Sequence, residues 1–222
     1  MLGLLRTLSS RSGRWSPEDN LPLVGSKFAR ILELVERREV LDVGCVGGDA
    51  GGDIEATSHA RLAKAAGFCL GIDIVPDEIE RRRREGYNAV VADAQTFDLG
   101  RTFDVIVAAD LIEHLANPGA FLARAREHLK PGGLLAIVTP NALSLNNALK
   151  SLAGLRVRVN PEHTCWYDRT TLRQLLSRFG FAPVEEYWQD YQEHPLTALV
   201  LRFRKNLAAH FIVIARPRGM MT

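Results

Sequence analysis

The sequence has no metal-spaced set of cysteines, no long apolar run and no large net charge, and each absence excludes a class of protein. Its three cysteines, Cys45, Cys69 and Cys165, have no metal-binding spacing and cannot all pair, which is typical of a reduced, cytoplasmic compartment. No apolar run reaches the ~20 residues that a membrane-spanning helix needs. The formal net charge of only +2 gives no basic surface for nucleic acid. We therefore expect a cytoplasmic protein with neither a membrane span nor a nucleic-acid partner.

The 222 residues do contain enough apolar material, 46%, for one domain with a full core. Residues 1–22 predict an N-terminal arm, and residues 23–222 predict the domain. Within the domain, apolar strands alternate with amphipathic helices, which favours a parallel sheet with helices on both faces. The oligomeric state stays open, a homodimer included.

The predicted elements follow from hydrophobic periodicity and from glycine and proline stops. Strands are predicted over residues 40–45, 68–74, 89–92, 103–109, 134–139, 184–191 and 210–215. Helices are predicted over residues 23–38, 56–66, 118–129 and 170–179, and one more begins at Pro76. In that helix the basic run 81–84 is interpreted as a solvated face. Residues 141–168 are too long for a turn and are interpreted as a lid with its own helix over 143–152.

A glycine-rich turn directly after the first long strand organises the chain. Residues 40–48 read Val-Leu-Asp-Val-Gly-Cys-Val-Gly-Gly. Glycine is needed where a backbone approaches a ligand closely or takes a positive φ. Such a turn is weak evidence when it stands alone, because any nucleotide-binding α/β domain can contain one.

Acidic residues stand at the carboxyl ends of successive strands, namely Asp42, Asp73, Asp93 and Asp110. In open α/β sheets, ligands bind at this edge, where the strand order reverses. A carboxylate after the second strand can accept hydrogen bonds from both ribose hydroxyls. An acid after the third strand can accept from an exocyclic adenine amine. The spacing therefore predicts a nucleoside-containing ligand that lies across the strand ends.

Taken together, these motifs resemble the class I S-adenosylmethionine-dependent methyltransferases. The resemblance covers about residues 38–215, through the glycine-rich turn, Gly-Ile-Asp-Ile, Ala-Asp-Ala, Phe-Asp-Val-Ile-Val-Ala-Ala-Asp and Leu-Lys-Pro-Gly-Gly in this order. It implies a Rossmann-like, doubly wound α/β fold with seven mostly parallel strands and an antiparallel last strand. One departure is Val46, which stands where the family usually has glycine.

The resemblance also implies which residues bind S-adenosylmethionine. Asp42 would lie near the methionine amino group, Asp73 at the ribose, and Asp93 at the adenine. The full set of cofactor-binding residues that it implies is Asp42, Gly44, Cys45, Gly48, Asp73, Ile74, Asp93, Ala94 and Asp110.

A second signal is the spacing of Asp110, Glu113 and His114, which places three side chains on one face of a helical turn. With His163, these hard oxygens and imidazoles could hold Mg²⁺ or Mn²⁺. The alternative is that Glu113 caps a helix and that His114 is a buried, hydrogen-bonded histidine. The arrangement is similar to that of metal-dependent O-methyltransferases, which implies a metal bound by Asp110, Glu113, His114 and His163.

The implied reaction is transfer of a methyl group to a hydroxyl, which needs a deprotonated nucleophile. Either a bound metal or a histidine base could supply it, with His163 the first candidate base and His114 the second. A hydroxylated small molecule, first a sugar or glycoconjugate, is the predicted acceptor. The alternative is a phenol or quinone precursor with a histidine base and no metal. A cofactor-binding module without catalysis and a nicotinamide oxidoreductase are more distant alternatives.

Three further side chains, Trp166, Tyr167 and His59, have no role that the sequence alone assigns. Trp166 and Tyr167 either form a stacking wall for the acceptor or pack the lid onto the core. His59 is interpreted as a surface or packing residue.

Overall fold

The computed structural model describes residues 21–47, 57–191 and 195–219, which form one eight-stranded sheet flanked by helices. Most of the predicted arm lies outside the described residues, as do Gly48 and most of the glycine-rich loop that follows it. No helix within the described ranges is long and apolar enough to cross a membrane.

The strands are β1 Leu23–Val24, β2 Glu39–Val43, β3 Phe68–Asp73, β4 Ala89–Val91, β5 Phe103–Ala109, β6 Leu129–Pro140, β7 Phe181–Gln189 and β8 His210–Pro217. The sheet is mostly parallel, and its strand order is β1-β7-β8-β6-β5-β2-β3-β4. Strand β8 runs antiparallel to both of its neighbours, β6 and β7. The predicted doubly wound α/β fold with an antiparallel last strand is thus confirmed, with one short edge strand added.

Four of the described helices begin at polar caps that the sequence supplies. Thr57, Asn117, Ser144 and Asp168 each accept a hydrogen bond from a backbone N–H in the first turn. The helices are α1 Ala29–Val35, α2 Ser58–Ala65, α3 Pro76–Arg84, α4 Pro118–Glu127, α5 Leu145–Leu152, α6 Arg169–Arg178 and α7 Pro195–Phe203. Among the described residues, Ile112–His114 and Lys205–Leu207 form 3-10 turns.

The predicted helix over residues 23–38 is wrong in its first part. Leu23 and Val24 instead form the edge strand β1, because Leu23 pairs with Trp188 of β7 and the Trp188 amide donates to the Pro22 carbonyl. Periodicity cannot reveal a partner that lies so far along the chain. Helix α7 was not predicted.

Alternating side chains of the central strands pack into two separate cores, one on each face of the sheet. On β5, Val105 and Val107 contact α1 and α2 residues such as Ile31 and Leu62. Ile106 and Ala108 belong to the opposite core, together with the apolar faces of α4 and α6. Burial on both faces explains why these strands read as nearly continuous apolar runs.

The strand order reverses between β2 and β5, since β3 and β4 continue to one side of β2 and β6 to the other side of β5. Ligands of such sheets bind outside the carboxyl ends of the strands at this point. The predicted lid leaves this edge at Asn141 and returns at Tyr167, where the Ala142 amide donates to the Tyr167 carbonyl at 2.9 Å.

Candidate active site

The glycine-rich turn begins at the end of β2 and is fastened to β3. The amides of Gly44 and Cys45 both donate to the Ile72 carbonyl, at 2.9 and 3.1 Å. Gly44 has a φ of +80°, and a Cβ added there would lie 3.0 Å from Leu111 Cδ1. The backbone therefore requires glycine at position 44 for its conformation and for its space.

Val46, the departure from the family pattern, does not obstruct this turn. Its side chain is buried in a small cluster with Cys45, Ile79 and Ala89. Its amide donates to Asp73 Oδ2 at 3.0 Å, and its carbonyl accepts from Arg82 at 3.5 Å. The prediction of a solvated basic face is wrong for Arg82, which is fully buried, because its guanidinium reaches inward to Glu78 and the turn.

A cavity of about 190 Å³ lies beside the turn, at the carboxyl ends of β2, β3, β4 and β5. Five of the residues implied for the cofactor line it: Gly44, Asp73, Ile74, Asp93 and Ala94. Val43, Ile72, Ala92, Gln95, Leu111, His114 and Leu115 complete the lining. The cavity thus combines apolar walls with carboxylates at two strand ends, as a nucleoside requires.

The two carboxylates of the cavity are partly engaged by backbone amides. Asp73 accepts from the amides of Val46 and Val75, and Asp93 Oδ1 accepts from the Gln95 amide at 2.8 Å. An ionised carboxylate offers about four acceptor positions, so each retains capacity for a ligand. These hydrogen bonds fix the side chains in place before a ligand arrives.

Two other residues implied for the cofactor, Asp42 and Cys45, are buried and do not line this cavity. Asp42 is buried and its Oδ2 lies 2.9 Å from Nδ1 of the buried His59. Burial, followed by the charges of Asp42 and Asp73, raises the pKa of the Cys45 thiol. Cys45 is therefore a small packing residue and not a nucleophile.

The spacing of Asp110, Glu113 and His114 forms a 3-10 turn after β5, not a turn of α-helix. The Glu113 carbonyl accepts from the amides of Thr164 and Cys165, at 2.8 and 3.1 Å. This contact brings the end of the 141–168 segment against the turn. As a result, the rings of His114 and His163 meet edge to face, with centroids 4.5 Å apart.

The two histidines connect the nucleoside cavity to a second cavity. His114 lines the first, and His163 lines the second, which has a volume of about 160 Å³. Burial, and next the nearby His114, lowers the pKa of His163, so its imidazole is neutral at neutral pH. The other lining residues are Pro140, Asn141, Ser144, Asn147, Arg158, Val159, Asn160, Trp166 and Ala209.

Glu113 is almost fully buried between these histidines and the sheet. Its Oε2 accepts from the Thr139 hydroxyl at 2.9 Å, whereas no hydrogen-bond partner for Oε1 occurs in the described part of the chain. Burial raises the pKa of Glu113 to about 7. Ligand atoms of Glu113, His114 and His163 all lie within 4.8 Å of one another, which fits a divalent ion.

Asp110, the fourth implied ligand, lies outside this three-residue group. It has a φ of +51°, forms an ion pair with Lys27, and lies 4.0 Å from His210 Nε2. Lys27 and His210 were not predicted. Neither residue belongs to a recognisable motif. Lys27 lies just before α1, and His210 lies at this edge because β8 runs antiparallel to β6.

The two aromatic residues of the lid differ in their environments. Tyr167 is buried in the main core, whereas Trp166 is 42% exposed and lines the second cavity. Tyr167 thus packs the lid base onto the core. Trp166 is placed where an acceptor ring could stack on it.

Comparison with known sequences identifies the domain. Residues 18–186 match a family model described as a methyltransferase domain. The chain is 32% identical over 133 residues to the ubiquinone biosynthesis O-methyltransferase of Azorhizobium caulinodans, covering 56% of this chain and 47% of that protein. It is 27% identical over 177 residues to the protein of the same name from Hydrogenovibrio crunogenus, covering 75% and 69%. The chain thus spans about half the length of the first relative and about two thirds of the second.

Solved structures give the same fold. A SAM-dependent methyltransferase from Archaeoglobus fulgidus superimposes with a TM-score of 0.60 at 19% identity, covering 85% of this chain and 90% of that chain. The magnesium protoporphyrin IX methyltransferase of Synechocystis PCC 6803, with bound SAH, gives 0.58 at 15% identity, covering 83% and 76%. The matched family model shows that the chain belongs to the methyltransferase-domain family. Together with the glycine-rich turn and the cavity at the strand ends, the superposition shows that it has the class I S-adenosylmethionine-dependent methyltransferase fold.

Proposed function

We propose that the chain is an S-adenosylmethionine-dependent O-methyltransferase that methylates a phenolic hydroxyl, such as that of a quinone precursor. The observation that carries the proposal is the pair His114 and His163, which stands between the nucleoside cavity and the second cavity. A methyl group must pass from donor to acceptor across such a boundary. The names of the two curated relatives favour a quinone-type acceptor over a sugar. The sugar acceptor stays a prediction without further support.

The nucleoside cavity would hold the donor. Asp73 and Asp93 would accept hydrogen bonds from its ribose and adenine, and Gly44 would allow the backbone to approach its methionine part. S-Adenosylmethionine supplies an electrophilic methyl group on a sulfonium. The role that remains for the protein is to orient the acceptor oxygen and to remove its proton.

His163 is the residue best suited to remove that proton. Its lowered pKa keeps the ring neutral, and its Nδ1 is buried with no partner among the residues described. The acceptor oxygen would form its new bond to the methyl carbon as its proton passes to the imidazole, and the bond from that carbon to the donor sulfur would break, with S-adenosylhomocysteine as the leaving group. Trp166 would orient the acceptor ring in the second cavity, and the 141–168 segment would cover it as a lid.

A metal variant of this proposal rests on the group of Glu113, His114 and His163. Among the described residues, neither Oε1 of Glu113 nor Nδ1 of His163 has a hydrogen-bond partner. Both atoms could therefore serve as ligands of Mg²⁺ or Mn²⁺. Such an ion would stabilise the deprotonated acceptor oxygen. The carboxylate of Asp110 forms an ion pair with Lys27 instead of joining this group. Its role as a fourth ligand therefore stays a prediction.

The test is methyl transfer from labelled donor to a panel of catechols beside a panel of sugars. Wild type is compared with His163→Gln, and each is assayed with and without EDTA. We expect transfer to catechols, a loss of about 10²–10⁴-fold in kcat for His163→Gln, and unchanged binding of S-adenosylhomocysteine. Transfer to sugars alone would contradict the phenolic acceptor. Activity that is insensitive to EDTA would remove the metal and leave the histidine base.

A further inference from the structure

A buried histidine contact lies directly beneath the glycine-rich turn. Nδ1 of His59, on α2, lies 2.9 Å from Oδ2 of Asp42, on β2, and the two side chains are 0% and 6% exposed. The sequence interpretation of His59 as a surface residue is therefore wrong, and packing describes it only in part. Its partner is the acid that is expected to face the methionine end of the cofactor.

The pair has features that stability alone does not explain. Removing a carboxylate and an imidazole from water is costly, and apolar side chains of similar volume are often equally stable or more stable at such positions. Nε2 of His59 has, in addition, no hydrogen-bond partner among the described residues. Unpaired buried polar atoms are rare in proteins and call for a specific explanation.

The surroundings of His59 connect it to the turn. Asp42 pairs in register with Gly71 of β3, and a Cβ at Gly71 would lie 2.7 Å from both His59 Cε1 and Cys45 Sγ. The imidazole and the Cys45 thiol thus both pack against the β3 backbone at Gly71, in space that only glycine leaves open. Val43 and Gly44, which directly follow Asp42, line the nucleoside cavity.

We propose that His59 is a positioning residue for the cofactor. It donates its Nδ1 proton to Oδ2 of Asp42, holds that carboxylate in one rotamer, and so directs Oδ1 toward the methionine amino group. The inference rests on the proposed binding of S-adenosylmethionine, but it concerns a residue on α2 that does not line the cavity.

Two ligands separate this role from general support of the fold. S-Adenosylhomocysteine carries the amino acid part, whereas 5′-methylthioadenosine has the same adenosine and thioether without it. A hydrogen bond to a charged group corresponds to about 10–100-fold in a dissociation constant. For His59→Leu we expect that loss for S-adenosylhomocysteine and a change of less than about 3-fold for 5′-methylthioadenosine, both measured by calorimetry.

Matched polar variants provide the controls. His59→Asn places an N–H near the position of Nδ1 and is expected to recover most of the affinity. His59→Gln places its N–H near the position of Nε2 and is expected to show the selective loss, so it replaces the Leu variant if that one does not fold. Asp42→Asn combined with His59→Gln is expected to bind no more weakly than Asp42→Asn alone, because the two residues act together.

The outcomes are distinguishable. Equal weakening of both ligands, or no weakening of either, would overturn the positioning role. Failure of the wild type to bind either ligand would instead overturn the proposed cofactor and leave His59 as a structural residue.

Discussion

The raised pKa of Glu113 makes a quantitative prediction about stability. A carboxyl group whose pKa rises from 4.5 to about 7 on folding binds more protons in the folded than in the unfolded state across this interval. Its contribution to stability is therefore fully present below pH 4.5 and is lost as the pH rises through about 7. At 1.36 kcal/mol for each pKa unit, the full loss is on the order of 3 kcal/mol.

Glu113→Gln removes the titration and keeps the shape of the side chain. Its carbonyl can still accept from Thr139, but its NH₂ must find an acceptor, which lowers the stability by a constant amount at every pH. The informative quantity is hence the difference in unfolding free energy between variant and wild type. We expect this difference to rise by about 2.5 kcal/mol in favour of the variant between pH 5 and 8, because part of the full loss has already occurred at pH 5.

The assay is urea unfolding at several pH values in the presence of EDTA, so that no metal binds the carboxylate. Glu80→Gln, on an exposed side chain of α3, serves as the control and is expected to give a flat difference. A flat difference for Glu113→Gln would refute the reasoning, because Glu113 would then be ionised throughout. If the three-residue group binds Mn²⁺, adding the ion at pH 8 should stabilise the wild type more than the variant.

Three further substitutions test the site. Gly44→Ala should lower the free energy of unfolding by about 1–2 kcal/mol because of the positive φ, and by more because of the contact with Leu111. Gly100→Ala is the control in urea unfolding: it also has a positive φ, but among the described residues nothing lies near its Cβ, so it should show the backbone cost alone. Lys27→Met should lower the free energy of unfolding by about 1–2 kcal/mol, and this loss should be smaller in the background of Asp110→Asn. A double-mutant cycle measures the difference, and additive effects of the two substitutions would argue against the ion pair. Arg82→Met removes the donor to the Val46 carbonyl and should weaken the binding of S-adenosylhomocysteine in calorimetry, whereas Arg84→Met, at an exposed arginine of the same helix, should not.

Periodicity was sufficient for the part of the fold that builds the nucleoside cavity. Strands β2, β3 and β5 are apolar runs with an Asp at their last residue or next to it, so their ends and their acids could be placed without a structure. The predicted alternation with helices then required those ends to share one edge. The antiparallel β8 followed only from the resemblance, since periodicity carries no strand direction.

Contacts between distant segments could not be predicted in the same way. The ion pair of Lys27 with Asp110 joins residues that are 83 positions apart, and the contact of His59 with Asp42 joins residues that are 17 positions apart. Arg82 belongs to a run of four arginines, and nothing in the sequence distinguishes the one that turns inward. In each case the tertiary structure selects one polar side chain from several chemically equivalent ones.

The buried polar side chains of this domain concentrate at the edge where the cavities lie. Asp42 with His59, and Glu113 with Thr139, are buried at strand ends, whereas the two cores between sheet and helices consist of apolar side chains. Apolar replacements of either pair should raise stability, because both carboxylates are desolvated and only partly compensated. Selection for stability alone would thus be expected to remove these groups first, and with them the proposed cofactor binding and the proposed proton transfer. Most of the buried polar side chains lie at this edge, with His128 at the opposite edge as an exception. This distribution indicates that the edge is organised for chemistry and the two apolar cores for folding.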